Sequence, residues 1–178
     1  MNNFVRSLAP FALLLALAPA AAAQDQQQTP AQQPSQAQTR QPAIPAAEGK
    51  AVVIVYRPGK FVGKALEPSV YCDGVEVARM DNGRYFVLLL EPGEHRIHTT
   101  EEYKRVDLKL GVGEVAFVRF RLETGMMKGR GNLYLADEAD AFKDIKKAKP
   151  LGADKIKSTA LVVADKAQAE AVVARYVR

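Results

Sequence analysis

Nucleophiles, general bases and metal ligands come from few residue types, and this chain is poor in them: one cysteine, Cys72, two histidines, His95 and His98, and no tryptophan. Cys72 beside His95 would be a thiol–imidazole pair, able to attack an acyl carbon once the ring accepts the thiol proton. The sequence around Cys72 instead reads as a strand with the sulfur facing inward, a buried and inert thiol. His95 and His98 lie three apart on a predicted strand and so point to opposite faces, which keeps them from sharing one ion. His95 is expected to pack beside Ile97 near the rim, and His98 to share the solvent face with Glu94 and Arg96. The serines of the folded part, Ser69 and Ser158, sit in no G-x-S-x-G setting. A hydrolase would need two carboxylates, or Cys72 and His95, to converge in a cleft. A structural zinc site wants four Cys or His ligands, and one cysteine cannot form a disulfide within the chain. The expectation is therefore no catalytic residue, no metal and no cofactor.

Two glycine-rich turns, Gly111-Val112-Gly113 and the loop Thr124 to Gly131, are not followed by the helix that a phosphate cradle requires. The second carries Met126, Met127, Lys128 and Arg130, a mixture suited to a partner or an anionic surface. Lys plus Arg number 25 and Asp plus Glu 20, a net charge of +5. Arg96, Lys109, Arg119 and Arg121 are expected to line an outward sheet face. With Lys128 and Arg130 they form the candidate contact set for an anion or a partner. Acids are interspersed and aromatic residues are not, so nucleic acid is not the expected ligand.

These side chains must be positioned by a single domain, since 178 residues with 48% hydrophobic positions can bury one core of ordinary size. Residues 1–23 combine Arg6, an apolar stretch from Leu8 to Leu17 and Ala21-Ala22-Ala23, the layout of a cleaved signal peptide. That stretch is shorter than the roughly 20 residues a spanning helix needs, and prolines interrupt it. No membrane segment is expected after cleavage. The lone Cys72 lies far from the cleavage point, which removes the lipoprotein route. Residues 24–48 hold nine Gln, five Ala and four Pro and read as a disordered linker. The expected address is periplasmic or secreted.

Residues 49–150 read as a mainly β domain, an antiparallel β-sandwich of about seven or eight strands with one short helix. Ala51 to Arg57 (AVVIVYR) is apolar on both alternating faces and predicts a central strand. Asp73-Gly74 predicts a two-residue hairpin between Ser69–Cys72 and Val75–Met80. Asp81-Asn82-Gly83 and Glu91-Pro92-Gly93 punctuate Arg84–Leu90 and Glu94–Thr100, as in a meander, with Pro92-Gly93 suited to a type II turn. Lys104–Leu110, Glu114–Leu122 and Asn132–Ala136 complete the strands. Asp137 is placed to cap a helix over Glu138–Lys147. Residues 151–178 form a C-terminal extension, helical from a capping box at Asp165 and Gln168, with Thr159–Val163 open to an extended form.

The opening AVVIVYRP strand, V-Y-C-D-G-V-E-V-A, N-G-R-Y-F and L-x-P-G-E-H (Leu90, Pro92, Gly93, Glu94, His95) together resemble the bacterial domain of unknown function 2846, over about Lys50 to Ala148. The resemblance implies an exported envelope protein with a β-sandwich and no established catalytic residues. On this reading the chain is a non-catalytic binding or interaction module whose partner is an envelope protein. The alternatives are an anionic envelope polymer or lipid as ligand, and a hydrolase.

Overall fold

The strand β1 (Ala51–Arg57) is buried at all seven positions, because it is covered on both faces. Ala51, Val53 and Val55 enter one hydrophobic cluster and Val52, Ile54 and Tyr56 another. An unbroken run of β-branched and aromatic residues suits a strand sandwiched between two layers. The computed structural model describes residues 47–101, 104–123 and 130–177. The expected signal peptide, nearly all of the linker, and Met126, Met127 and Lys128 lie outside them.

The other strands are β2 (Ser69–Cys72), β3 (Val75–Arg79), β4 (Arg84–Leu90), β5 (Gly93–His98), β6 (Arg105–Leu110), β7 (Val115–Glu123), β8 (Arg130–Leu135) and the short β9 (Lys149–Pro150), with helices α1 (Glu138–Ile145) and α2 (Lys166–Tyr176). They form a five-stranded sheet, β8-β7-β1-β4-β9, and a four-stranded sheet, β3-β2-β5-β6. The inner faces of the two sheets meet in the larger core, around Phe86, Leu88, Ile97, Val118 and Phe120. The outer face of the five-stranded sheet is covered by the helices, where Ala141, Ile145, Ala169, Val172 and Val173 pack on Ile54, Tyr56 and Val87. Phe117 and Phe142 meet edge to face at 5.6 Å. The architecture is thus sheet, sheet, helix.

The β-rich, two-sheet class agrees with the sequence reading, but the pairing does not follow a meander. β1 pairs antiparallel with β4 and parallel with β7, and β4 pairs parallel with β9, so the larger sheet is mixed rather than antiparallel. Turn residues report where the chain reverses, not which strand it joins. The Asp73-Gly74 turn does close a hairpin, β2–β3, with φ of 50° and 82° as a type I′ turn requires. The bend at Pro92-Gly93 instead carries the chain from one sheet to the other, because β4, apolar on both faces, pairs with β1 while β5 pairs with β2 and β6. Asp137 stands at the start of α1 without a side-chain capping bond, and that helix ends at Ile145. Asp165 does cap α2, accepting from the Gln168 backbone N–H at 2.7 Å. The C-terminal stretch docks on the sheet through Val163, whose N–H donates to Val87 O at 2.9 Å, and through a bridge between Val162 and Leu88.

Candidate functional site

The hairpin turn after β2 and the start of β5 bring Cys72, Asp73 and His95 together, with ligating atoms within 4.8 Å of one another. Asp73 and His95, but not the buried Cys72, border a shallow groove of about 730 Å³ that Arg96, His98, Asp107 and Lys109 also line. The sequence shows Asp73 only as a turn former. Nothing in its local pattern reveals that residue 95, 22 positions on, comes back against it through the pairing of β2 with β5. Asp73 Oδ2 accepts from His95 Nδ1 at 2.7 Å and Asp73 Oδ1 accepts from the Arg96 backbone N–H at 2.8 Å. On the far side of the ring, Glu91 O lies 2.7 Å from His95 Nε2. Both partners of His95 are acceptors, so the site favours the ring with both nitrogens protonated, the imidazolium.

That arrangement decides what the trio can do. Cys72 Sγ lies 3.7 Å from Asp73 Oδ2, and neither nitrogen of His95 is free to take its proton. Burial first, and then the Asp73 charge, push the thiol up to about 12, far from the thiolate that attack or metal binding needs. An ion would have to displace the bonds to Asp73 and Glu91 and deprotonate a thiol whose residue has no exposed surface. The trio is a staple: one imidazolium fastens the β2–β3 turn to the bend entering β5.

The staple should be pH-dependent. Partial burial opposes the charge on His95, but the Asp73 carboxylate and the Glu91 carbonyl outweigh it and hold the ring above its ordinary value. Burial likewise works against the Asp73 carboxylate, while the bonds from His95 and the Arg96 N–H keep it below the usual range. A raised histidine stabilises fully below its unfolded value, about 6.5, and that contribution is lost as pH rises through the folded value; a lowered carboxylate loses its contribution as pH falls. His95→Gln should cost about 1 kcal/mol near pH 6 and less near pH 8.5, given the partial exposure of the pair. Denaturant unfolding at the two pH values reads this, and a cost equal at both would refute the imidazolium.

His98 does share the outer face with Glu94 and Arg96, lining the same groove, but it is not solvated as expected. It is 9% exposed, stacks on Tyr71 at 5.2 Å with an interplanar angle of 8°, and its Nδ1 bonds Thr99 O at 2.6 Å. Strand alternation itself holds, since His98 is paired with the exposed Arg105; the ring is covered there by its cross-strand partner Tyr71. His95, expected beside Ile97 at the rim, is partly buried and turned toward Asp73 instead.

The candidate basic residues do not share one face. Arg96 and Lys109 lie on the four-stranded sheet in the groove just described, where Arg96 Nε pairs with Asp107 at 3.1 Å and Lys109 stands opposite Glu94. Arg119 and Arg121 lie on β7 in the other sheet and border a second groove, of about 550 Å³, with Lys60, Phe61 and Tyr134. Arg119 is paired with Asp144 of α1 at 3.0 Å. The side chain of Arg121 forms no ion pair or hydrogen bond among the described residues, while its backbone belongs to the β7–β8 ladder opposite Asn132. Of Arg130 only the backbone is described, opposite Glu123.

Sequence reasoning missed what builds the second groove. Arg57 closes an apolar strand and is 3% exposed. Its Nη1 donates to Leu66 O at 2.6 Å and Met80 O at 3.0 Å, its Nη2 to Gly63 O at 2.7 Å, and its guanidinium stacks 5.3 Å over the Phe120 ring. The loop 58–68 is thereby tied down, with Phe61 at its tip 94% exposed. An arginine ending an otherwise apolar run, followed by K-F-V-G-K, is the signal that was available.

Fold and grooves together define a small two-sheet β module backed by helices, its only cysteine and its acid–imidazole pair committed to holding turns. The family described as protein of unknown function (DUF2846) matches residues 47–132, which bears out for that stretch the resemblance carried by the turn motifs. The match ends within β8, so α1 and α2 lie beyond it. An uncharacterized protein of Haemophilus influenzae is 29% identical over 102 residues, covering 56% of this chain and 60% of the relative. The chain thus spans three fifths of that relative's length. No solved structure matches.

Proposed function

We propose that this chain is a non-catalytic binding module of the cell envelope, exported by residues 1–23 and held on the linker 24–48 in the periplasm or outside the cell. The observation that carries the reading is His95: both of its nitrogens are spent on Asp73 and Glu91, which leaves the Cys72 thiol without a base. The signal-like layout of residues 1–23 supports export. Among the described residues no helix is long and apolar enough to cross a membrane.

Two measurements test it. Alkylation of the folded protein should leave Cys72 unmodified while denatured chains react at once; rapid modification of the native thiol would point to a working nucleophile. Sequencing of the protein recovered from cells should give an N terminus at or near Gln24, and an intact Met1 would dismiss export by cleavage.

A second reading, an anionic envelope polymer or lipid as the ligand, is favoured by the unpaired Arg121 beside Lys60 in the second groove. It replaces the single basic face with a local cationic site.

A further inference from the structure

The loop 58–68 holds apolar side chains in water by construction. Phe61 is 94% exposed, Val62 59% and Leu66 43%. A loop with such a tip could fold back onto the sheet and bury it. This one is prevented from doing so by two clamps. Arg57 binds the carbonyls of Gly63 and Leu66 from below. Asn82 binds Lys60 on both sides, its Oδ1 accepting from the Lys60 N–H at 3.0 Å and its Nδ2 donating to Lys60 O at 2.9 Å. The segment between these clamps is the one that carries Phe61 and Val62.

Charge says what such a tip would meet. Lys60 and Lys64 flank Phe61 and Val62, and Arg121 lines the same groove as Lys60 and Phe61. The side chains of these three cations have no ion-pair partner among the described residues. The acids nearby are already engaged: Glu67 with Lys155 at 2.7 Å, Asp144 with Arg119, and Glu123 with Lys104 at 3.2 Å. Asp81, under the loop, acts on the buried Arg57 and on Lys155. The tip is therefore apolar at its apex and cationic around it. A soluble polyanion would use the cations and leave Phe61 wet. A lipid surface uses both, since aromatic and aliphatic side chains enter the acyl boundary while lysine stems extend their charges to the headgroups.

We infer that the loop 58–68 is a docking tip for an anionic lipid bilayer, with Phe61 and Val62 entering the interface and Lys60, Lys64 and Arg121 meeting the phosphates. This rests on the binding-module reading and supplies its partner. The attachment is reversible, because one aromatic tip and three cations fall well short of a spanning helix.

The chain has no tryptophan, so Phe61→Trp in the full chain places a single reporter at the apex, and its quenching by acyl-chain probes requires the apex itself to enter the bilayer, which tethering through residues 1–23 alone does not supply. On vesicles of phosphatidylcholine with about one third phosphatidylglycerol, its emission should shift to the blue and be quenched by brominated acyl chains. Pure phosphatidylcholine should give neither effect, and about 0.5 M salt should reverse them, since screening at that strength confines exposed charges to a few ångströms. In vesicle sedimentation, Phe61→Ser should weaken the phosphatidylglycerol-dependent binding about tenfold, the loss of one partly buried aromatic ring, and Lys60→Glu with Lys64→Glu should abolish it. An unshifted reporter on anionic vesicles overturns the inference. So does a reporter that responds to a soluble polyanion and not to vesicles, or binding that Phe61→Ser leaves intact. At 94% exposure Phe61 supports no core, and an unchanged unfolding midpoint for Phe61→Ser confirms that the fold is preserved. Native Cys72 labelling and the recovered N terminus report on the wider reading independently of this outcome.

Discussion

Arg57→Met lowers the free energy of unfolding by about 3 kcal/mol, because three carbonyls that accept from one guanidinium lose their donor together. Methionine keeps most of the stem volume and adds no charge, so the loss is assigned to the fork. Met80 O is the most buried of the acceptors and has no water to turn to. Leu66 O and Gly63 O can regain water, but only by letting the loop 58–68 open. Arg57→Lys should recover less than half of the loss, since an ammonium presents no planar fork to three acceptors set around it. Urea unfolding gives the first number. Limited proteolysis gives the second observation, new cleavage between Lys60 and Lys64 in the variant. A loss under about 1 kcal/mol, or full recovery with lysine, would show that the loop is held by other means.

Phe120→Ala is expected to cost about 3 to 5 kcal/mol, the range for emptying a buried aromatic site. The ring is 1% exposed and is enclosed from three directions. Residues of both sheets line it in the core, the Arg57 guanidinium stacks over it, and Gly131 lies so close that a Cβ there would overlap the ring. Surroundings fixed by strand pairing on β7 and β8 cannot collapse into the space. The effects of Arg57→Met and Phe120→Ala should be less than additive, since each already removes the contact between the two residues. Strict additivity in the double variant would mean that the stacking contributes nothing. The same geometry makes Gly131 a position where any side chain displaces Phe120.

How much of this could be read from the residues depends on the range of the interaction. Asp73-Gly74 dictates its own backbone and so was legible, as was β1, whose seven apolar residues require cover on two sides. The partners of β1 were not legible. AVVIVYR is equally compatible with β4, β7 or any other apolar strand, and only the whole fold selects a parallel neighbour. Alternation placed Ile97 inside and His98 on the outer face correctly but did not show that His98 is buried there, because its cover is the ring of Tyr71 on the neighbouring strand, a cross-strand contact that the period-two rule does not contain. The Asp73–His95 staple joins residues linked only by sheet register, and Arg57 reads from sequence as an ordinary strand end. The basic set failed for a related reason: Arg96 and Lys109 share one sheet, Arg119 and Arg121 the other, and residue type alone does not say which.

The position of β1 has a consequence for how the chain reaches this state. Its neighbours β4 and β7 are synthesised some 30 and 60 residues later, and the helices that cover its outer face later still. Until β7 is available, AVVIVY is an unprotected template with one open edge and a dry-seeking surface on each side, the kind of segment that recruits copies of itself. High contact order of this sort slows folding. The N-terminal strand, first to be made, is last to be enclosed, and the yield of native protein depends on keeping that segment solitary until the C-terminal third arrives.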